Sequence, residues 1–586
     1  MRKTLALVLS VVMLLAACSF AIPVSAAPEG TAINTADEFM AMVSTPADAT
    51  EPTAKYYLAS DITLPGSYVE PFWGILDGNG KTVTVSAPMF NDFSGEVKNL
   101  TIKGDIYYAD SDCGALAINS TKGFNATNCV NNANVTVTGN AKLAGGFVAN
   151  CVKTEGPVLF YNCTNNGNVY IDSTADQKMR AGGFGGIIDS CVFINCTNNG
   201  DVYTKGNICI AGGFVARIAL NVGTCTAEAY NCVNTGDIVV DDTYIGADGV
   251  SMGTGGSDAG GIFGYIGGKG NAGWYRIWGC RNDGKVDGPR QIGGMVGYVY
   301  ASGTTAYVDI QFCINTGDIV YGQIKTPTPD TPLYDYASPF VAYTNSANTT
   351  IKYNINTGSI IKREGTICAN EGVSFFGCSS ADATVYDLQG NYVLNYDEFK
   401  YYSYANPVTE SGKYAGQIHE ISETDGILPT TLDDIKSGKV CYEIMKLAEA
   451  DEYGYNLFYD DAYAAYGYPC DYAFNFYQKI GTDDMPSVDP AAGWVVLNGT
   501  TYANGEKTAP ETTEAPETTK EPEQTTEPAP ETTVAPEVEN TEAPTPEQTQ
   551  GGEQKTEEKK GCGGFVAGSV ALVAILGTAL IIKKRD

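Results

Sequence analysis

Residues 163–169 read C-T-N-N-G-N-V, and residues 196–202, 33 positions on, read C-T-N-N-G-D-V. The frame is Cys, then Asn at +2, Gly at +4 and Val or Ile at +6. It recurs at Cys129, Asn131, Ala133, Val135, where alanine takes the glycine slot, and at Cys232, Asn234, Gly236, Ile238. Cys280, Asn282, Gly284, Val286 and Cys313, Asn315, Gly317, Ile319 continue it, and Asn354, Asn356, Gly358, Ile360 form a seventh copy without the cysteine. Successive cysteine slots are 34, 33, 36, 48, 33 and 41 residues apart, so some copies carry insertions. A period of this size marks a repeat architecture.

A second motif interleaves with the first. It runs through Ala144-Gly145-Gly146-Phe147, Ala181-Gly182-Gly183-Phe184, Ala211-Gly212-Gly213-Phe214, Ala259-Gly260-Gly261-Ile262 and Ile292-Gly293-Gly294-Met295. Short alternating apolar runs separated by Asn-Gly turns predict stacked β coils, with two or three short strands each, and not helical repeats. Equivalent residues on successive coils then lie about 4.8 Å apart. Asparagine tolerates a left-handed turn and can hydrogen-bond along such a ladder, glycine supplies positive φ without a Cβ clash, and the Val and Ile of the frame point inward.

The 17 cysteines follow the same logic. Six in-register thiols would stack as small hydrophobes in a narrow core. Their parallel Cβ vectors, about 4.8 Å apart, lie outside the 3.5–4.5 Å that a disulfide prefers. Cys113, Cys151, Cys191, Cys209 and Cys225 fall off that register and are the better prospects for pairing. No C-x-x-C pair occurs, so a metal site is not indicated, and nothing in the sequence calls for a cofactor.

Ahead of the repeats, Thr35 and Glu38 make a capping box for a short helix with Phe39, Met42 and Val43 facing inward over the first apolar edge. The order Y-x-L-x-x-D-I-x-L from Tyr56, F-x-G-x-L-D-G-N-G-K-T-V from Phe72 and V-K-N-L-T-I from Val97 follows. Together with the G-G-[FIM] repeats it resembles bacterial surface proteins built on right-handed parallel β-helices, and is similar to the GLUG-repeat group of the pectin-lyase-like superfamily. The resemblance covers about residues 30–375. It implies an all-β, right-handed parallel β-helix, and that fold carries both polysaccharide lyases and plain adhesins.

The rest of the chain sets the compartment. Residues 1–26 read as an export signal, with Arg2 and Lys3, the apolar run Leu5 to Ala17 and the small-residue site Val24-Ser25-Ala26. Leu15-Ala16-Ala17-Cys18 also resembles a lipobox, so cleavage after Ala26 and lipidation of Cys18 are both open. Phe565 to Ile582 is an 18-residue uncharged stretch followed by Lys583, Lys584 and Arg585, which predicts a single membrane helix with the bulk of the chain outside. No L-P-x-T-G signal precedes it. Thr508 to Lys560, with 14 Glu, 13 Thr and 8 Pro, cannot bury enough surface to fold and reads as an extended stalk. The expected organisation is thus signal 1–26, cap and first coils 27–105, repeats 106–380, a small Tyr-rich α+β domain 381–507, stalk 508–560, and anchor with tail 561–586. In the Tyr-rich domain, Thr431 to Ala450 has helical spacing through Leu432, Ile435, Val440, Ile444 and Leu447. The segment around Tyr477-Gln478-Lys479-Ile480-Gly481 resembles a terminal module of anchored gut-bacterial surface proteins.

Composition excludes several function classes. A net charge of −32 argues against nucleic acid as a partner, because neutralising phosphates takes Lys and Arg. The single histidine, His419, rules out sites that need two or more, including H-E-x-x-H and three-histidine zinc centres. The lyases and hydrolases of the resembled fold imply clustered Asp with Arg or Lys, or three Asp with a histidine and R-x-K. Here Asp241-Asp242 is the only acidic pair in the repeats, and no histidine or R-x-K lies in the coil. The ligand-binding candidates are Tyr244, Tyr265 and Trp274, in or beside the Gly-rich insertion from Asp241 to Gly273, with Arg276 and Arg281, whose guanidinium groups suit a uronate carboxylate. These point to an extracellular glycan or protein ligand, with the membrane engaged by the C-terminal helix. A polysaccharide lyase or hydrolase is the alternative.

Overall fold

Every repeat is laid down as one coil, and the coil spanning residues 178–205 shows its anatomy. Lys178–Gly182 forms a first face, Gly185–Ile188 a second and Cys191–Ile194 a third. Thr197–Asn198 and Val202–Lys205 form a fourth. The next coil starts at Ile208–Gly212, which lies parallel on Lys178–Gly182 with Ala181 opposite Ala211. The computed structural model describes residues 28–151, 157–173, 178–206, 208–219, 225–241, 257–268, 273–301, 306–322, 336–344, 346, 348–364, 374–378, 386–394, 400–403, 417–420, 426–450, 476–478 and 483–488. In them the four faces are stacked ladders, parallel except where Gln417–Glu420 pairs antiparallel with Lys400–Ser403, so the described chain is an all-β parallel β-helix. The signal, stalk and anchor segments lie outside the described residues.

The cysteine frame is legible in this geometry. Asn131, Asn165, Asn198, Asn234, Asn282, Asn315 and Asn356 are fully buried and stack on one another. Each of the first six donates its Nδ2 to the Oδ1 of the next at 2.8 Å. The same Nδ2 also reaches the carbonyl of the slot two residues on, as in Asn198 to Gly200 at 2.8 Å. A buried amide left unpaired costs about 1–3 kcal/mol, and the ladder removes that cost at every rung.

The left-handed turn falls to a different asparagine, the one just before the cysteine slot, which Leu100 fills in the first of these coils. Asn99, Asn128, Asn162, Asn195 and Asn231 all have φ of 51° to 53°, and Gly279, Phe312 and Tyr353 take that corner in later coils. A non-glycine residue there costs roughly 1–2 kcal/mol. Phe312 and Tyr353 are buried with ring centroids 5.2 Å apart, and that packing offsets the strain.

The glycine motif supports the ladder from the opposite side. A Cβ on Gly183 would stand 2.1 Å from the Gly213 carbonyl oxygen and 2.2 Å from Asn198 Oδ1. The frame residues Val135, Val169, Val202, Ile238, Val286 and Ile319 are all buried. Phe160 stacks on Phe193 at 4.8 Å and Phe184 on Phe214 at 4.9 Å, the two columns meeting edge to face. Cys129, Cys163, Cys196, Cys232, Cys280 and Cys313 are buried free thiols, several donating to carbonyls near 3.4 Å, as Cys163 does to Ala126. Cys113, Cys151, Cys191 and Cys209 are also free, against the expectation of pairing. In register they face Ala144, Ile188, Val158 and Met179, so no second thiol stands opposite them. Cys225 is on a strand, its side chain outside the described residues.

At the N-terminal end Thr35 caps a helix, α1 (Ala36–Met40), accepting from the Glu38 amide at 3.2 Å. Phe39 and Met42 are buried, and Phe39 packs on Phe90 at 5.4 Å. Val43, expected inward, is 70% exposed, because the helix ends at Met40 and Val43 lies on extended chain beyond it. At the other end the ladders run on past residue 380. Asn391–Val393 pairs with Ile355–Asn356 and then with Ile427–Pro429, and Asn354 Nδ2 donates to Asn391 Oδ1 at 2.9 Å. The helical stretch is two helices, α2 (Leu432–Lys436) and α3 (Lys439–Ala450), divided at Gly438, whose φ is +81°. Ile435, Val440 and Ile444 pack on Tyr230, Trp278, Phe312 and Tyr353 along the outer edge of the third face, whereas Leu432 is 54% exposed at the start of α2.

Candidate functional site

Strand alternation sends residues six, four and two positions before the cysteine slot to the outside of the third face. In the strands Cys225–Tyr230, Gly273–Trp278, Ala306–Gln311 and Asn348–Lys352 this produces three outward rows. One row is Thr226, Trp274, Tyr307 and Asn348. The next is Glu228, Arg276, Asp309 and Thr350, and it runs on to Asp387. The third contains Tyr230, Trp278, Gln311 and Lys352.

The first row holds an open aromatic pair. Trp274 and Tyr307 stack with centroids 4.4 Å apart and planes 17° apart, and they remain 42% and 41% exposed. Tyr107 is more open still, at 66%, but Trp274 and Tyr307 set two open rings together on one face. Beside them is a cleft of about 270 Å³ lined by Trp274, Tyr307, Asp309, Asn348, Thr350 and Asp387. That is just under the roughly 300–1,000 Å³ of drug-sized sites, so it suits one ring-sized unit at a time.

Charges brace the platform from below. The Arg276 guanidinium sits 4.3 Å from the Trp274 ring centroid and 5.2 Å from that of Trp278, and it pairs with Glu228 at 3.9 Å. Glu228 is itself held by the Thr226 hydroxyl at 2.6 Å and by the Tyr230 hydroxyl. Burial pushes the Asp309 carboxyl up to about 6, although the Gln311 amide donates to it at 2.8 Å and Arg276 is adjacent. Lys352 is paired with Asp387 at 2.7 Å. The arrangement is thus a flat apolar surface with hydrogen-bonding groups along one side. Among the described residues no group of three or more His, Cys, Asp or Glu is placed to hold a metal ion.

Of the residues singled out in the sequence, the structure brings Trp274 and Arg276 together. Tyr265 lies on the second face, in register with Arg217 and Tyr298. Arg281 is on the fourth face, where its Nε donates to Asp283 at 2.6 Å, so it and Arg276 do not share a ligand site. Tyr244 and Asp242 lie outside the described residues, and Asp241 accepts a hydrogen bond from Tyr203. His419 sits on a strand paired antiparallel with Lys400–Ser403, opposite Tyr401. Tyr307, Asp309 and Glu228 were missed. Counting back six and four residues from Cys313, and four from Cys232, would have found them.

Among the described residues no helix is long and apolar enough to cross a membrane, and Phe565 to Ile582 lies outside them. No family model matches the chain, and no curated protein matches it.

Proposed function

We propose that the chain is a cell-surface binding protein whose β-helix recognises glycans through the Trp274–Tyr307 platform. The observation that carries this reading is the stacked, exposed aromatic pair set beside a cleft with carboxylate, amide and hydroxyl groups. Aromatic faces cover the C–H surface of a sugar ring, while polar neighbours select its hydroxyls. The reading is completed by the export signal at 1–26, the Thr/Pro/Glu stalk at 508–560 and the apolar stretch 565–582, which would hold the β-helix outside the cell on a single-pass anchor. The right-handed GLUG-like assignment belongs to the same proposal and rests on the sequence motifs.

A hydrolytic reading has one observation in its favour. Asp309 is a carboxyl raised to about 6 in a cleft that also exposes Asp387, and raised carboxyls in clefts are where general acids are found. A panel of neutral and uronic-acid glycans, read for retention on the immobilised chain and for reducing ends and unsaturated product, separates the two. Binding with no turnover supports the binding protein. Turnover lost in Asp309→Asn overturns it.

A further inference from the structure

The first and second faces meet in a corner that the platform does not use. On the first face Arg180 and Asp258 lie in one row, separated by Ile210 and followed by Gln291. On the second face Arg217, Tyr265 and Tyr298 form the neighbouring row. Arg180 stands between the inward residues Met179 and Ala181, so its side chain leaves the core on the corner side. The Arg217 guanidinium is 5.5 Å from the Tyr265 ring centroid, and Tyr265 meets Tyr298 edge-on at 5.1 Å.

This corner concentrates polar atoms with nothing to bond. Arg180 Nε, Arg217 Nε, Arg290 Nε, Asp258 Oδ1 and Gln291 Oε1 are all enclosed and lack a hydrogen-bond partner. Asp258 is 1% exposed and Gln291 6%. Enclosed donors and acceptors normally find partners, and each exception needs a cause. Arg276 also has an enclosed Nε without a hydrogen bond, but it and Arg281 each have a carboxylate within 4 Å, Glu228 at 3.9 Å and Asp283 at 2.6 Å. Here, in a chain of net charge −32, Arg180 and Arg217 are close enough that burial and mutual repulsion lower Arg180 to about 10. Burial also pushes Asp258 up to about 7, although Arg290 and Lys178 draw it down, so the corner's own carboxyl is partly neutral, and Asp112 is the carboxylate that offsets part of the Arg180 charge.

We infer that this corner binds a sugar bearing a single carboxylate or sulfate, the acid group held by Arg180 and Arg217 and the ring lying on Tyr265 and Tyr298. A guanidinium fork matches either acid, and two forks side by side make the bidentate arrangement that discriminates it from a neutral hydroxyl. Tyrosine offers a ring to the sugar face and a hydroxyl to its rim. Asp258 and the acidic remainder of the molecule disfavour a densely charged polymer, which points to one acid group per recognised unit. The site is separate from the Trp274–Tyr307 platform, so either can fail alone.

The test is calorimetric titration of the full chain with a uronate oligosaccharide, a singly sulfated one, their neutral counterparts and poly-glutamate. The acidic sugars are expected to bind at least tenfold more tightly than the neutral ones, with the carboxylate and sulfate arms showing which acid is preferred. Arg180→Gln with Arg217→Gln should lose that tenfold, Arg217→Lys should lose most of it while keeping the charge, and Trp274→Ala should leave it unchanged. Asp258→Asn should tighten binding several-fold at pH 8 by removing a like charge. Equal affinity for neutral sugars, equal or tighter binding of poly-glutamate, or weaker binding in Asp258→Asn would overturn the assignment.

Discussion

A single asparagine decides whether a rung of this molecule closes. Asn198 accepts from Asn165 and donates to Asn234 and to the Gly200 carbonyl, all at 2.8 Å, with no exposure to water. Asn198→Ala should therefore cost about 2–4 kcal/mol, because it strands buried partners on two coils. Asn199→Ala, one residue away on the exposed ladder, should cost less than about 0.5 kcal/mol. Urea midpoints of the two variants decide it. Asp258 makes a second prediction, from its titration. Its carboxyl is raised from 3.8 to about 7, so its stabilising contribution is complete below about pH 4 and is lost as pH climbs through 7. Arg290, Lys178, Tyr265 and Tyr298 are the groups facing it, and the first two are too weak to reverse the burial effect. Thermal melts between pH 5 and 8 should show wild type losing stability, on the order of 2–4 kcal/mol from this group, and Asp258→Asn losing less. An identical slope in both would contradict the assignment.

At the scale of strands and turns, the two sequence motifs prove to be halves of one contact. The A-G-G turn passes so close to the asparagine ladder that Gly183→Ala would drive a Cβ into Gly213 O and Asn198 Oδ1. It should destabilise the chain by more than about 2 kcal/mol, whereas Gly66→Ala, with nothing within 4 Å, should be near neutral in the same melts. Much of this was readable beforehand, since a period of 33 with inward Val and Ile leaves few alternatives to stacked coils. The division of labour between asparagines was not readable, because N-C-T-N-N-G offers several candidates for the turn and only the backbone shows that the one before cysteine takes it. The platform was half legible for a related reason. Trp274 and Arg276 stand out as residue types, but Tyr307 and Asp309 become partners only when coils are aligned on Cys280 and Cys313, which puts residues 33 apart in contact. The coil near Asn391 lacks both motifs while still pairing in register, so its place in the ladder is visible only in the backbone.

For the whole molecule, the cysteines and the charge describe one design. Burial pushes the Cys113, Cys151 and Cys441 thiols up to about 12 and raises Cys129, Cys196, Cys280 and Cys313 as well, while Cys163 and Cys232, held between them, are closed off from solvent. Alkylation of the native chain should leave the eleven described buried thiols unmodified until denaturant is added, with no change in melting temperature under reductant. Rapid labelling, or a reductant-sensitive melt, would reveal a disulfide framework instead. The net charge of −32 favours solubility, and 14 of the acidic residues fall within positions 508–560 of the sequence. What the described residues present is therefore a stacked ladder with outward rows of side chains, and the proposed binding role rests on those rows. The most direct measurement is the affinity of the full chain for the tightest glycan of a neutral panel, set beside Trp274→Ala and Tyr307→Ala. Retained melting temperature with affinity lowered about tenfold or more in both variants, and glycan recovered intact, is the predicted result. Unchanged affinity in both variants would contradict the platform, and a degraded glycan would contradict the binding role.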